Sequence, residues 1–357
     1  MGIRLKGEGT IYKYRNGFRA GFAAPTGKRI YKTFQTAKEA SEWLATMRAD
    51  VNRGDYIEES IIPLGKWLID YIETFKKPKV RVSTLVRYYS TAKLISPLFD
   101  IPLKDISAYT LQKFYNSLPA HLSYSSQSKV FKLLNAALKK AAVLGMMKDI
   151  TLSVELPKPS KKKIEVSIYT IDEIKKILNY LENSTYYKRY YLFVKLAIAS
   201  GARLGELLAL RIENVYNDYI DIVASAHATN GKMYINPPKT TTGNRRITLS
   251  PELCLALKTA AERYSYVFHT QNGLPWNTHT IGHAWKKILS NADVPHKHFH
   301  ALRHTHATQL LANGIPLLEV SRRLGHAQPS VTLDMYGHAI QGYDAQIPEK
   351  VNSIFSL

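Results

Sequence analysis

Six residues in the C-terminal half of the chain carry side chains suited to chemistry on an anion: Arg203, Lys239, His300, Arg303, His326 and Tyr336. Guanidinium forks match phosphate oxygens two at a time. Lys and His can move protons near neutrality once their pKa values are tuned, and a Tyr hydroxyl can serve as a covalent nucleophile. The sequence holds no P-loop and no clustered Asp/Glu set for Mg²⁺, so ATP-driven or metal-assisted phosphoryl transfer lacks its usual parts. A rival reading is a transition-metal site, because His296, His298, His300, His304 and His306 crowd together. Their spacing is neither His-Glu-x-x-His nor a Cys/His finger, and no metal or other cofactor is expected.

The elements that must position these groups follow from periodicity. His298 to Ala339 reads as three short helices joined by tight turns. Leu302, Leu310 and Leu311 recur at helical spacing before Gly314. Pro316 opens a second helix with Leu317, Val320 and Leu324 on one face and Gly325 as its stop. Ser330 stands as the N-cap of a third, which carries Leu333 and Tyr336. His300 and Arg303, three apart, project from one helix face. His304 and His306 read as helix-surface or packing histidines, and Arg322 and Arg323 as phosphate contacts or solvated charges. In Gly201-Ala-Arg-Leu-Gly-Glu206, Arg203 opens a Leu-rich helix and Glu206, at i+3, is placed to orient it. Strands are expected at 219–224, 232–235 and 245–249, with a turn over 239–244 that puts Lys239 on a hairpin edge. Further helices are expected at 171–181, 188–200, 251–264 and 281–292.

Composition points to the partner. The net charge is +21, with 49 Lys and Arg against 28 Asp and Glu, and the excess recurs in 1–60, 61–157 and 158–357 alike. Basic groups displace counterions condensed on a polyanion, most simply nucleic acid. A single cysteine, Cys254, excludes a disulfide framework and a thiolate metal cluster. No signal peptide and no membrane-spanning run is evident, so a soluble, cytoplasmic protein with no membrane partner is expected.

The expected architecture is multidomain: a small α+β module of a three-stranded sheet plus a helix, an all-α domain, and a mainly-α domain with a small β-sheet. Strands at 10–14, 18–23 and 28–34 precede a helix over 37–51 that Thr36 and Glu39 cap. Lys13, Arg15, Arg19, Lys28, Arg29 and Lys32 give that module a basic face, the alternative being merely solvated charge. Helices follow at 64–75, 83–94, 110–118 and 125–143, with Lys76, Lys77, Lys79 and Arg81 clustered in a loop able to touch phosphate. Pro157 to Lys163, with Lys161, Lys162 and Lys163, forms a basic extended linker. Arg245 and Arg246 are further expected backbone contacts. The boundaries are 1–56, 62–157, a linker at 158–166, 167–340, and a tail at 341–357.

Taken in register, Arg203, His300-x-x-Arg303, Leu324-Gly325-His326 and Tyr336 ten residues later resemble the signature of the tyrosine recombinase family of the phage integrase type. Lys239 in Pro238-Lys-Thr-Thr-Thr-Gly-Asn-Arg-Arg-Ile247 is similar to that family's hairpin lysine. The helical 62–157 resembles its core-binding domain, and the sheet-plus-helix module resembles the arm-type DNA-binding domain of integrases from phages and conjugative transposons. The resemblance implies attack of Tyr336 on a scissile phosphate to give a 3′-phosphotyrosine. Arg203, Arg303 and His326 would stabilise the transition state, Glu206 would hold Arg203, Lys239 would protonate the leaving 5′ oxygen, and His300 would assist at Tyr336. It also implies double-stranded attachment sites, a homotetramer on paired DNA, and partners such as a directionality factor or a DNA-bending host protein. A chromosome-dimer resolvase, a type IB topoisomerase-like nicking-closing enzyme and a catalytically silent regulator are the alternatives.

Overall fold

The computed structural model describes residues 9–24, 27, 29–53, 60–156, 167–229, 231–238, 243–261 and 264–337. The chain divides into two compact units, Met1–Lys161 and Lys162–Leu357.

The first unit opens on an antiparallel sheet of β1 (Thr10–Tyr14), β2 (Gly17–Ala23) and β3 (Arg29–Phe34) in sequential order. Strand alternation sends Ala20 and Phe22 to one face, where they meet Ala40 and Leu44 of helix α1 (Ala37–Arg53). The expected capping box is present: the Glu39 N–H donates to Thr36 Oγ1 at 3.3 Å, and the Thr36 N–H donates back to Glu39 Oε2 at 3.4 Å. The helical part of this unit comprises α2 (Leu64–Tyr71), α3 (Val82–Lys93), α4 (Ala108–Asn116) and α5 (Tyr124–Val143). Leu64, Leu68, Leu111 and Leu134 fill its core, and the Trp67 indole N–H donates to the Ala137 carbonyl at 2.9 Å. The sequence predicts one α-helix over 64–75. The observed α2 stops at Tyr71 and a wider π turn, Ile72–Lys76, completes the segment. Helix α3 begins at Val82, one residue before the expected start at 83, with Arg81 in the N-cap position.

The second unit is mainly helical around two small sheets. Its elements are α6 (Ile171–Asn183), α7 (Tyr191–Ser200), α8 (Leu204–Leu208), β4 (Tyr219–Ile222), β5 (Ser225–Thr229), β6 (Lys232–Asn236), β7 (Arg245–Thr248), α9 (Pro251–Ala261), α10 (Thr278–Asn291), α11 (Ala301–Ala312), α12 (Leu317–Leu324) and α13 (Pro329–Tyr336). Strand β4 pairs with β7 and β5 with β6, both antiparallel. Pattern reading missed β5, whose Ser-Ala-His-Ala-Thr sequence is short and only weakly strand-forming. The main core gathers Tyr169, Phe193, Leu207, Trp285 and Leu302. A smaller cluster of Ala307, Leu311, Val320, Leu324 and Tyr336 binds α11, α12 and α13 together. Tyr336 is thus a packing residue as well as a polar one, with 0% of its surface exposed. Pro329 rather than Ser330 opens α13, as its fixed φ suits the first helical position.

Candidate active site

Arg203 directly precedes α8, in extended backbone. Its N–H donates to Glu206 Oε2 at 2.8 Å and its Nη1 to Glu206 Oε1 at 2.9 Å, so the expected i+3 pairing forms. The carboxylate has a second partner that the sequence did not disclose. Arg245 donates to it through Nη1 at 3.2 Å and Nη2 at 2.8 Å, and through Nε to the Arg323 carbonyl at 2.7 Å. Burial opposes ionisation of Glu206, but the hydrogen bonds and charges of Arg245 and Arg203 outweigh it and hold the carboxyl below its ordinary range. The expectation that Arg245 lies on DNA is corrected here. Successive β7 side chains point to opposite faces: Arg245 turns inward to Glu206, while Arg246 turns out to Asp221 and over the Tyr219 ring at 3.7 Å.

Arg303, in the first turn of α11, is 3% exposed. Nη1 donates to the Gly201 carbonyl at 2.8 Å, and Nη2 donates to the Leu324 carbonyl at 2.8 Å and to His326 Nε2 at 2.9 Å. All three acceptors are neutral, and among the described residues no carboxylate lies within ion-pair distance of this guanidinium. A buried cation without a counterion is costly and marks a place built to receive an anion. Arg203 Nη2 also reaches the Gly325 carbonyl, at 3.3 Å. The last carbonyls of α12 therefore collect Arg203, Arg245 and Arg303 at the negative end of its dipole.

Gly201 and Gly325 are required at this junction. Both have positive φ, +63° and +69°, and a Cβ on Gly201 would lie 2.4 Å from His306 Cδ2. His306, expected at the surface or in packing, is bonded on both sides. Its Nδ1 meets the Ile198 carbonyl at 2.7 Å and its Nε2 accepts from Arg323 Nε at 3.2 Å. Arg323 also donates to the Ala199 and Thr248 carbonyls, which makes it a brace rather than a solvated charge.

His326 follows Gly325. An arginine can only donate, so His326 Nε2 accepts from Arg303, and in the neutral ring Nδ1–H donates to Thr332 Oγ1 at 2.7 Å. Burial, followed by the charges of Arg303, Arg203 and Arg245, pushes its pKa down to about 4. In this arrangement His326 holds Arg303 instead of presenting a spare donor of its own.

The Tyr336 hydroxyl meets His304 Nδ1 at 2.6 Å. The family resemblance implies His300 at the tyrosine, with His304 at the helix surface or in packing. His300 lies instead against the His304 ring, edge to face at 4.7 Å. Desolvation and the neighbouring charges of His304, Arg303 and Arg203 lower the His300 pKa, although the residue keeps an exposed edge. Burial raises the Tyr336 pKa, and Arg303 and Arg203 pull it back. The signal for His304 was its four-residue spacing from His300 on one helix face; five histidines in eleven residues hid it.

The structure thus gathers Arg203, Glu206, His300, Arg303, His326 and Tyr336, and adds His304 and Arg245. Lys239, Lys28, Lys161, Lys162, Lys163, His338 and the tail lie outside the described residues. In the first unit, the Arg19 guanidinium sits 4.9 Å from both the Tyr14 and Tyr31 rings on the sheet face away from α1. Lys13 and Lys32, opposite Phe18 and Ala20, belong to the other face and are exposed at the outer strands. Arg15 occupies the β1–β2 turn at φ 52°. Lys76 lies 5.2 Å from the Tyr71 ring, Lys77 pairs with Glu73 at 2.6 Å, Lys79 is exposed, and Arg81 sits at the start of α3. Among the described residues no helix is long and apolar enough to cross a membrane, and no group of three or more His, Cys, Asp or Glu is placed to hold a metal ion.

Comparison with known proteins adds to this geometry. Residues 168–341 match the phage integrase family, and residues 64–118 match the N-terminal SAM-like domain of phage integrases. A tyrosine recombinase XerC-like protein of Caldanaerobacter subterraneus subsp. tengcongensis is 28% identical over 92% of this chain and 93% of its own length. The ICEBs1 integrase of Bacillus subtilis is 22% identical over 94% of this chain and 95% of its own. Among solved structures, the Tn1549 transposon integrase in complex with circular intermediate DNA shares the fold at a TM-score of 0.71. It is 19% identical, over 81% of this chain and 99% of that one. A lambda integrase tetramer bound to a Holliday junction has a TM-score of 0.61 at 19% identity, over 93% of this chain and 96% of that one.

Proposed function

Because the chain belongs to the tyrosine recombinase (phage integrase) family, we propose that it is the integrase of a mobile element, which cuts and rejoins DNA at paired attachment sites. One observation supports this reading above the others: Arg303, 3% exposed and without a described carboxylate partner, stands beside Arg203 and the buried hydroxyl of Tyr336. A phosphodiester supplies the missing negative charge where both guanidiniums can reach it.

In this mechanism the Tyr336 oxygen attacks the scissile phosphorus and the 5′ oxygen leaves, giving a 3′-phosphotyrosyl bond. Arg203 and Arg303 neutralise the non-bridging oxygens as the pentacoordinate state forms. His326 fixes Arg303 through its Nε2, and Glu206 fixes Arg203, so neither fork must reorganise at the moment of reaction. Lys239 is assigned the proton for the leaving 5′ oxygen and His300 a supporting part in proton transfer, both from the family resemblance. The covalent link keeps the phosphodiester energy, so a 5′-hydroxyl from a second duplex reverses the step without ATP or metal. Strand exchange then needs two duplexes and, by the same resemblance, four protomers. A directionality factor and a DNA-bending protein are its natural accessories. Lys13, Arg15, Arg19 and Lys32 of the sheet module, and Lys76, Lys77, Lys79 and Arg81 of the helical part, are assigned to DNA backbone and arm sites.

The test uses nicked suicide duplexes drawn from the DNA flanking the gene. Wild type should form a covalent adduct, Tyr336→Phe none, and Arg303→Lys should cleave about 100- to 1,000-fold more slowly at similar affinity. An adduct formed equally by Tyr336→Phe, or by no protein on any flanking duplex, overturns the reading.

A further inference from the structure

The proton on the Tyr336 hydroxyl must go somewhere as the oxygen attacks, and the structure offers it one place. Among the described residues, His304 Nδ1, at 2.6 Å, is the one acceptor bonded to that hydroxyl. We infer that His304 is a catalytic residue, the general base that takes the Tyr336 proton during cleavage and returns it during ligation. This inference rests on the reading of Tyr336 as nucleophile.

Three observations carry it. First, Tyr336 is wholly buried, and a buried O–H needs an acceptor. If His304 were the donor, the phenolic hydrogen would have no described partner, so Nδ1 accepts and the ring carries its proton on Nε2. Second, the geometry is fixed from both sides. His304 sits one residue beyond Arg303 on α11, Tyr336 ends α13, and Ala307, Leu311, Val320 and Leu324 pack those helices together. The two rings lie 5.6 Å apart, so neither searches for the other. Third, the surroundings keep His304 neutral. Burial and then the charge of Arg303 lower its pKa, and among the described residues the other titratable side chains in contact with it are His300, edge-on, and Tyr336 itself. Burial raises the Tyr336 pKa, and the charges of Arg303 and Arg203 oppose that rise.

The step balances. The Tyr336 O–H bond breaks and its proton passes to His304 Nδ1, while the Oη–P bond forms and the P–O5′ bond breaks. The 5′ oxygen takes its proton from a different acid, the role assigned above to Lys239. Ligation runs the same transfers backward, with His304 as the acid. His300 then supports the base as its neighbour, and does not touch the nucleophile.

The experiment compares wild type, His304→Ala, His304→Asn and Tyr336→Phe in single-turnover cleavage of the flanking suicide duplexes between pH 6 and 9. Each duplex is made with an ordinary 5′ oxygen and with a 5′-bridging sulfur at the scissile phosphate. The Asn side chain keeps an acceptor near the Nδ1 position but is no base, which separates holding the tyrosine from deprotonating it. Both His304 variants should bind duplex as wild type does and cleave at least about 100-fold more slowly at pH 7. Their rates should climb about tenfold per pH unit as Tyr336 ionises unaided, while wild type stays level. Sulfur, which needs no acid to leave, should not repair them. Three results overturn the inference: variants within threefold of wild type, variants that cleave faster (a latch on a resting tyrosine), or full repair by sulfur, which would place His304 at the leaving group. If His304→Ala fails to bind DNA, His304→Asn alone decides. Activity in Tyr336→Phe would instead remove the nucleophile assignment beneath it.

Discussion

Replacing Glu206 with Gln tests the electrostatic design of the site, because it changes charge and almost nothing else. Glu206 is 4% exposed and receives four N–H donations, two from Arg203 and two from Arg245. A glutamine keeps one acceptor oxygen and turns its own N–H groups toward a guanidinium. The Arg203 side chain is 40% exposed, so water absorbs most of its loss; that of Arg245 is 6% exposed and has no such recourse. Removing one partner of a buried pair costs about 3–5 kcal/mol, to which the Arg203 contact adds less than about 1 kcal/mol. At about 2–4 °C per kcal/mol for a unit of this size, the unfolding midpoint should fall by roughly 6–24 °C. Calorimetry of the full chain measures it. Sulfate should raise the midpoint of the variant more than that of wild type, since an anion between the arginines replaces part of the missing charge. A midpoint within about 2 °C of wild type, with equal response to sulfate, would refute the argument.

Other consequences are as direct. His306 has its pKa pushed down to about 4 by burial and the charge of Arg323, despite its bond to the Ile198 carbonyl. The unfolded chain binds that proton first, near pH 6.5, so stability is intact above this and lost as pH falls toward 4, at up to about 1.4 kcal/mol per unit. His306→Gln should show a lower midpoint at pH 7.5 and a shallower fall below 6.5; an unchanged slope assigns the acid loss elsewhere. Gly201→Ala places a Cβ against His306 at positive φ, costing about 2–4 kcal/mol, and by moving Arg203 should slow cleavage more than it weakens binding. Titrations and cleavage assays with Gly201→Ala check this, and wild-type kinetics would contradict it. Removing residues 1–60 should weaken binding to accessory sites while sparing cleavage of a minimal duplex, as read by mobility shift on long and short DNA; equal affinities would remove the arm-binding role.

Much of the site was legible because its chemistry is written in local spacing. Arg203 and Glu206 sit three apart at a helix start, and His300, Arg303, His326 and Tyr336 fall in a run whose helices announce themselves through Leu spacing and Gly stops. The helical pattern also located α5 and α6 to within a residue or two. What escaped depends on which way a side chain turns. Arg245 and Arg246 are adjacent and identical in type, and only the pairing of β7 with β4 decides that the first is buried at 6% exposure and the second faces Asp221. His304 looked like its neighbours until α13 brought Tyr336 to its ring. Arg323 reads as a surface cation beside Arg322, yet it spans carbonyls of α7 and β7 that lie over seventy residues away in sequence.

The central claim is that the Tyr336 hydroxyl becomes joined to a DNA 3′-phosphate. Trapping the adduct on a nicked flanking duplex, trimming the DNA with nuclease and sequencing the modified peptide by mass spectrometry reads this directly. The account predicts a single modified peptide carrying a nucleotide 3′-phosphate on Tyr336. A linkage on any other residue, or one through a 5′-phosphate, would contradict it.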